Sequence, residues 1–330
     1  MNDPRDVLPR TVKVIEQGMK DGLHIGAQVY VSRGGEAPVI DYIPELGAHS
    51  KDAVTVRHVL THTGGFRFAD GREAFRKSWD EVIAKICDAK LEDGWVPGQK
   101  AGYHPSSGWF ILGEIVRRVD GRPFERYVRD EVFEPLGMRD CWVGMPPERY
   151  REYGDRIGVM HNTEGDTPQP VPGVDSEQFC ARCVPGGGGR GPMRELGRCY
   201  EALLHNGQLG ETRILSPQTV QALTSRHRVG MFDETFRIPI DWGLGFIIDS
   251  MIYGRHSSPR AFGHGGARSS AGFADPEHGL VVAAGANRMP DDRRHYQRFS
   301  RIATAVYVDL GIAEPDAPGR ERRRPDTGLT

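Results

Sequence analysis

Two short segments combine residue types that can bind or polarise a carbonyl compound. Tyr103 lies in Tyr-His-Pro, directly before two serines, and His264 lies in Phe-Gly-His-Gly-Gly. A tyrosine can transfer a proton, and a histidine can donate a hydrogen bond to a carboxylate or an oxyanion. Gly265 and Gly266 would let a ligand lie against bare backbone. On spacing alone, the sequence favours a simpler interpretation, an ordinary hairpin with a surface histidine and a tyrosine that packs at a helix start.

The elements that would position these residues follow from local patterns. The run 275–279 (Asp-Pro-Glu-His-Gly) is a turn between two β-prone segments, 268–274 and 280–287, which predicts an antiparallel hairpin. His264 would then lie just before its first strand. Further strands are predicted at 27–32 and 243–249. Helical spacing and capping residues predict helices over 5–21, 55–61, 79–87, 107–119, 123–133, 216–225 and 291–310, and another after Pro192.

Composition describes an ordinary soluble globular protein. The 330 residues include 38% hydrophobic and 27% charged residues, with a net charge of −2, so no basic surface suggests nucleic acid as a partner. No apolar run approaches the length of a membrane span, and the first ten residues lack the apolar core of a signal peptide. We therefore expect a cytoplasmic protein without a membrane partner. Its oligomeric state is left open.

Three patterns could indicate a metal or a phosphate group, and each is incomplete. His58 and His62 are four residues apart but have no glutamate between them. Cys180-x-x-Cys183 has no second pair, and five cysteines do not suggest a disulfide framework. The glycine-rich run 185–192 lacks the Gly-Lys-Ser/Thr ending of a phosphate loop. We expect neither a metal nor a cofactor.

Several longer words occur in a fixed order along the chain. They are Tyr42-Ile43-Pro44-Glu45, Val56 to Gly65 (VRHVLTHTGG), Tyr103-His104-Pro105, Pro135-Leu136-Gly137-Met138, Trp242 to Phe246 (WGLGF) and Phe262 to Gly266 (FGHGG). In these words the sequence resembles the serine β-lactamase and penicillin-binding-protein-like hydrolases, which include class C β-lactamases, family VIII carboxylesterases and D-alanyl-D-alanine peptidases. The resemblance extends from about residue 25 to residue 310.

The resemblance implies an α+β fold of the β-lactamase/transpeptidase type, an antiparallel sheet flanked by helices and joined to a mostly helical subdomain. It implies one domain over 1–310, with the helical part at about 55–220, the sheet part at about 5–35 and 240–310, and a disordered tail at 311–330. Tyr103 matches the family's catalytic phenol, while His264, Gly265 and Gly266 match its third, substrate-orienting motif. His-x-Gly is common among esterase-like members, so the implied activity is a carboxylesterase acting on small acyl esters or amides.

The family's nucleophile motif, Ser-x-x-Lys, is missing. No serine has a lysine three positions on, and the sequence passes from the predicted strand at 27–32 almost directly to 37–45. The strand and nucleophile helix expected between them are absent, which should leave apolar side chains without partners. A phenol of ordinary pKa is only about 0.1% ionised at pH 7, so Tyr103 cannot replace the missing pair.

Three interpretations remain open. In the first, the chain is an inactive carboxylesterase relative that was shortened by deletion or by an incomplete reading of its gene. In the second, it is a non-catalytic ligand-binding or scaffold protein. In the third, it is an esterase with a substitute serine. The candidate serines are Ser106, Ser107, Ser269 and Ser270.

Overall fold

Most helices of the chain precede its main β-sheet. The computed structural model describes residues 9–22, 37–70, 73–165 and 167–319. The α-helices are α1 (Pro9–Lys20), α2 (Val56–Leu60), α3 (Trp79–Asp88), α4 (Ser107–Asp120), α5 (Phe124–Val128, continued by a π-helical turn at Arg129–Phe133), α6 (Pro147–Tyr153), α7 (Glu177–Cys180), α8 (Met193–Leu204), α9 (Pro217–Thr224) and α10 (Asp292–Asp309). Short 3₁₀ helices lie at Val39–Asp41, Pro44–Ser50, Gly154–Arg156 and Met251–Tyr253.

Five strands form the main sheet, in the antiparallel order β13-β12-β11-β10-β9. They are β9 (Asp241–Trp242), β10 (Ile247–Ile248), β11 (Phe262–Gly265), β12 (Ser270–Asp275) and β13 (Leu280–Gly285). Two-residue strands elsewhere are β1 (Trp142–Val143), β2 (His161–Asn162), β3 (Gln169–Pro170), β4 (Gly189–Arg190), β5 (Gln208–Leu209), β6 (Thr212–Arg213), β7 (Phe232–Asp233), β8 (Ile238–Pro239) and β14 (Arg288–Met289). The predicted α+β fold with an antiparallel sheet is confirmed.

The structure adds a strand and a turn to the predicted sheet. His264 precedes the predicted hairpin, which is β12 and β13, but it lies in a strand of its own, β11, opposite Gly272 on β12. The chain turns back after Gly266, whose N–H donates to the carbonyl of Ser270 at 2.8 Å. The strand predicted at 243–249 is only partly right. Residues 243–246 form the turn between β9 and β10, because Gly245 adopts φ +88°, and β10 occupies Ile247–Ile248.

Helices α8 and α10 cover opposite faces of the sheet. Alternate residues of β12 point to the two sides, so Phe273 packs with the α10 residues Phe299 and Tyr307, while Ala274 packs with Tyr200 of α8. The buried face of α10 does not include all of its apolar residues. Ile302 and Leu310 are 41% and 59% exposed, and Ala303 and Tyr307 are buried instead. The buried positions follow Phe299 at intervals of four residues.

The helical part of the chain has its own core. Val59 of α2, Ile86 of α3 and Ile111 of α4 are fully buried together. Thr55 and Ser78 begin α2 and α3 with capping boxes, in which each side chain accepts a backbone N–H and the residue three positions on bonds back. These short helices hold the loops on which Tyr103 and the Thr-His-Thr-Gly-Gly word lie.

An apolar groove of about 580 Å³ lies between α2 and α4. It begins at Ala37, the first described residue after 23–36. Its apolar walls are Tyr42, Val56, Leu60, Ile115, Val116, Val119, Tyr127 and Leu244. The strand predicted at 27–32, most of the sheet part predicted at 5–35 and the tail beyond residue 319 lie outside the described residues. Over the described ranges, every helix is too short or too polar to cross a membrane.

Candidate functional site

The structure brings Tyr103 and His264 together, although 160 residues of sequence separate them. Their ring centroids are 5.4 Å apart with a tilt of 38°, and both side chains are only partly buried. Tyr103 lies on the loop that leads into α4, and His264 lies on β11. The two rings therefore meet where the helical part adjoins the sheet, and this junction is called the cleft below.

Two aromatic rings hold the ring of Tyr103 in place. Phe236 stacks on one side at 5.0 Å, and Trp242 of β9 stacks at 5.7 Å. The backbone of Tyr103 is fixed as well, because its N–H donates to Asp233 Oδ1 at 3.0 Å and its carbonyl accepts from Thr235 Oγ1 at 2.9 Å. The phenol can therefore present its hydroxyl in one direction only.

A buried ion pair lies under this arrangement. Arg228 Nη2 contacts Asp233 Oδ2 at 2.9 Å, and both side chains are almost fully shielded from solvent. The guanidinium also donates to the carbonyls of Thr61 and Ile240, and it lies 5.3 Å from the Trp242 ring. Burial lowers the pKa of Arg228 to about 10 although Asp233 opposes this shift, so the guanidinium remains charged at neutral pH. Each of its three nitrogens thus donates to a protein oxygen.

Tyr103 is a weak acid in this environment. Burial raises the pKa of Tyr103 to about 12, and nearby Tyr296 and Asp233 act in the same direction. A hydrogen bond with Trp109 opposes the shift without cancelling it. An indole N–H can only donate, so the phenol accepts this bond and keeps its own proton for another partner. At neutral pH, Tyr103 is a hydrogen-bond donor and not a base.

Lysine, the group that would activate such a phenol, does not act on Tyr103 among the described residues. The buried lysine of the helical part, Lys51, donates to the carbonyls of Ala48, Cys87 and Ala89 at the end of α3. Its role is to satisfy carbonyl groups that the helix leaves unpaired.

His264 differs from the sequence-based expectation. We expected it to donate a hydrogen bond to a ligand, but its Nδ1 already bonds to the carbonyl oxygen of Gly265. A carbonyl only accepts, so Nδ1 carries the proton. Burial lowers the pKa of His264, which keeps the ring neutral and leaves Nε2 as an acceptor. This Nε2 is buried and has no hydrogen-bond partner.

His62 also belongs to the site, although the sequence motifs did not identify it as a residue of the cleft. It is 1% exposed, and its ring lies 4.3 Å from Trp242 and 4.8 Å from Tyr103. Its Nδ1 accepts the N–H of His104, so the proton is on Nε2, which is buried without a partner. Burial lowers the pKa of His62 well below its ordinary value. The Thr-His-Thr-Gly-Gly word marked the position but predicted only a turn.

The incomplete metal patterns are not assembled in the structure. Helix α2 ends at Leu60, so His58 and His62 do not share a helical face, and His58 Nδ1 accepts the N–H of Thr55. Over the part of the chain that the structure describes, no three His, Cys, Asp or Glu side chains come together as metal ligands. The glycine-rich run packs on the cleft instead, since a Cβ at Gly186 would lie 2.5 Å from the Trp109 ring.

The remaining predicted site residues mainly contact other atoms of the protein. Gly266 is exposed beside His264, and a Cβ there would lie 2.1 Å from Ser270 Oγ, whereas Gly265 has room for one. Ser107 Oγ is buried and donates to the carbonyls of Phe66 and Arg67. Ser106 Oγ is buried without a partner and does not cap α4.

The sheet, the covering helices and the cleft define a protein of the β-lactamase and carboxylesterase fold class. The Beta-lactamase family model matches residues 27–306, and the chain belongs to this family. Its relatives include the Esterase/beta-lactamase LipL of Mycobacterium tuberculosis, which is 26% identical over 292 residues, and Esterase EstB of Burkholderia gladioli, which is 29% identical over 283 residues.

These matches cover 77% and 75% of this chain, and 63% of LipL and 69% of EstB. The chain thus spans less than two thirds of LipL. Among solved structures, a family VIII carboxylesterase superposes with a TM-score of 0.68 at 28% identity, covering 81% of this chain and 76% of that one. The resemblance to esterase-like hydrolases is therefore confirmed in both sequence and fold.

Proposed function

We propose that this protein derives from the ester-cleaving members of its family and that its cleft, as it stands, binds a small acyl compound without forming an acyl-enzyme. The observation that carries the proposal is the state of Tyr103. Burial raises its pKa to about 12, and no lysine acts on it within the described residues. Acyl transfer to an enzyme needs an activated oxygen, whereas Tyr103 is a protonated phenol on which no lysine of the described ranges acts.

The serines near the cleft support the same conclusion. The hydroxyl proton of Ser107 is committed to backbone carbonyls, and Ser270 Oγ lies against Gly266. Ser106 Oγ differs from these two hydroxyls because it is buried and has no hydrogen-bond partner. A substitute nucleophile would therefore have to be sought at Ser106.

Two further observations support descent from an esterase and loss of the reaction. LipL and EstB are esterases by name, and the superposed structure is a family VIII carboxylesterase. Over the described ranges, the apolar groove beside Ala37 has no covering element, which is the kind of surface that loss of a packed helix would leave. Within the described residues, Tyr103 and His264 thus persist while no lysine acts on Tyr103.

A labelling experiment tests the proposal. The protein is incubated with p-nitrophenyl butyrate and, separately, with a fluorophosphonate probe, beside EstB as the positive control. We expect p-nitrophenol release equal to the buffer blank and an unchanged intact mass, because removal of such a nucleophile lowers turnover by about 10⁶. A stoichiometric adduct on Ser106, or on any other serine, would overturn the proposal.

Binding is measured separately by ligand-observed NMR with methyl phenylacetate. Saturable binding that disappears in the Tyr103→Phe, His264→Phe double variant is expected. A ligand that binds the wild type and this double variant equally well would place the binding elsewhere and contradict the proposal.

A further inference from the structure

We infer that a cavity between α9 and the main sheet binds a monocarboxylate with a compact apolar body. The cavity measures about 570 Å³ and lies at the end of the sheet that carries the turn between β12 and β13, since Pro276 of that turn and Phe262 of β11 line it. The described residues that line it include neither Tyr103 nor His264. The site is thus separate from the cleft, and the inference does not depend on the proposed function.

The floor of the cavity is apolar. Val220 of α9, Ile248 of β10 and Phe262 of β11 belong to one buried cluster that forms it. Leu204 at the end of α8 and Pro276 are only half-buried, so a ligand can contact their side chains. The volume lies within the range of small-molecule sites, which combine apolar walls with a few placed polar groups.

The charged residues that line the cavity are both arginines. They are Arg226 and Arg260, and no aspartate or glutamate of the described ranges lines it. Arg226 is held in place, because it donates to Asp241 Oδ2 at 2.8 Å and to the carbonyl of Pro259 at 2.6 Å. The second bond places the guanidinium of Arg226 beside the backbone of Arg260.

Arg260 is the residue that we assign to the carboxylate. Two carboxylates, Asp241 and Asp249, lie within ion-pair distance of Arg226, whereas no carboxylate of the described residues pairs with Arg260. The Arg260 side chain is exposed, so a ligand can reach it. A guanidinium matches the geometry of a carboxylate through two parallel N–H groups. An acid held in this way would place its apolar body on the floor of the cavity.

Other ligand charges match this wall less well. An ammonium group would face two arginines and no acidic side chain of the described ranges. An uncharged compound could occupy the same apolar floor but would gain no ion pair with Arg260. The charge of the ligand should therefore decide its affinity among compounds of one shape.

Three compounds of similar shape test the inference: cyclohexylacetate, cyclohexylacetamide and 2-cyclohexylethylamine. Their dissociation constants are measured by NMR titration of the full chain at neutral pH. We expect the carboxylate to bind about fivefold more tightly than the amide, the effect of a well-formed ion pair in contact with solvent. The amine should bind most weakly. The preference for the carboxylate should shrink in about 0.5 M salt, which screens an exposed pair.

Three variants assign the preference to this cavity. In Arg260→Gln the carboxylate-to-amide ratio should fall to about one. Arg301→Gln is the matched control, because Arg301 is an exposed arginine of α10 on the opposite face of the sheet, and the ratio should not change. Gln221 lines the cavity and is exposed, so Gln221→Trp should fill the cavity without disturbing the core and should abolish binding of the acid. In the wild type, the acid should shift the backbone amide signals of Gln221 and Ile248.

The possible failures are distinct. Equal affinities of the three compounds, a ratio unchanged in Arg260→Gln, unchanged binding in Gln221→Trp or absence of binding by the acid would overturn the inference. Loss of acid binding in the Tyr103→Phe, His264→Phe double variant, with shifts confined to the cleft, would also overturn it while supporting the proposed function. Ester turnover or a serine adduct would overturn the proposed function and leave this inference standing.

Discussion

The carboxylate of Asp233 accepts the backbone N–H of Tyr103 through one oxygen and binds the guanidinium of Arg228 through the other. The same Oδ1 atom accepts the N–H groups of Thr235 and Phe236, so it also shapes the loop that stacks Phe236 on the Tyr103 ring. A single buried charge thus connects the ion pair under the cleft to the position of the phenol that faces a ligand.

Replacing Asp233 by asparagine should destabilise the protein strongly. The variant keeps an oxygen that accepts the N–H of Tyr103 but leaves the Arg228 guanidinium buried without its counter-charge. We expect the free energy of unfolding in urea to fall by about 3–5 kcal/mol. The double variant Arg228→Met, Asp233→Asn removes the unpaired charge and should be more stable than the single one. The account would be contradicted if the double variant lost as much free energy of unfolding as Asp233→Asn and Arg228→Met lose together.

Tyr103 should ionise only in strong alkali. Its pKa is raised to about 12 by burial, so ultraviolet difference spectra between wild type and Tyr103→Phe should show no extra phenolate below about pH 10. Other tyrosines titrate in both proteins and cancel. A wild-type phenolate that appears near neutral pH would reveal an activating cation close to Tyr103.

Stability should decrease on acidification because the protein buries neutral histidines. Burial lowers the pKa of His104 to about 4, below its value of about 6.5 in an unfolded chain. Between these values the unfolded chain binds a proton that the folded chain does not, so the free energy of unfolding falls as pH drops from about 6.5 to 4. The loss from His104 approaches about 3 kcal/mol, and His62 adds to it.

The matched control for this pH dependence is His104→Gln, whose side chain does not titrate. Its urea unfolding curves should depend less on pH between 4 and 6.5 than those of the wild type. Equal slopes in the two proteins would show that His104 is protonated in the folded state.

Two neighbouring glycines of β11 should respond very differently to alanine. A Cβ at Gly263 would lie 2.2 Å from the carbonyl oxygen of Gly272, whereas at Gly265 it would meet Ile252 and His295 at 3.4–3.5 Å. Gly263→Ala should lower the free energy of unfolding by about 3 kcal/mol, because backbone atoms must move. Gly265→Ala should change it by less than about 1 kcal/mol. Thermal unfolding of both variants tests the contrast, and similar losses would refute it.

Local sequence patterns predicted most of the longer helices but missed α6 and α7. Thr55, Ser78 and Asp291 are capping residues at the predicted starts, because a side-chain oxygen that accepts a free N–H is a short-range signal. The strands around the site were less predictable. Gly245 reverses the chain within an apolar run, and no local pattern distinguishes that turn from a continuous strand.

The sequence predicted which residues form the site, but not their protonation states or hydrogen bonds. Motif words indicated Tyr103 and His264, which the fold places side by side. The proton on His264 Nδ1 depends on where the carbonyl of Gly265 points, and the burial of His62 depends on Trp242, which lies 180 residues away in sequence. Tertiary contacts of this range leave no local trace in the sequence.

The bonds of Arg228 and Asp233 also set an order of assembly. Thr61 and Arg228 are 167 residues apart, and Tyr103 and Asp233 are 130 apart. During synthesis, the helical segments leave the ribosome well before the residues that fix their loops. Contacts that close such long loops form slowly. His62 and Tyr103 should therefore stay exposed to water until the residues that contact them have been synthesised. The cleft should then be among the last regions of the molecule to become resistant to hydrogen exchange.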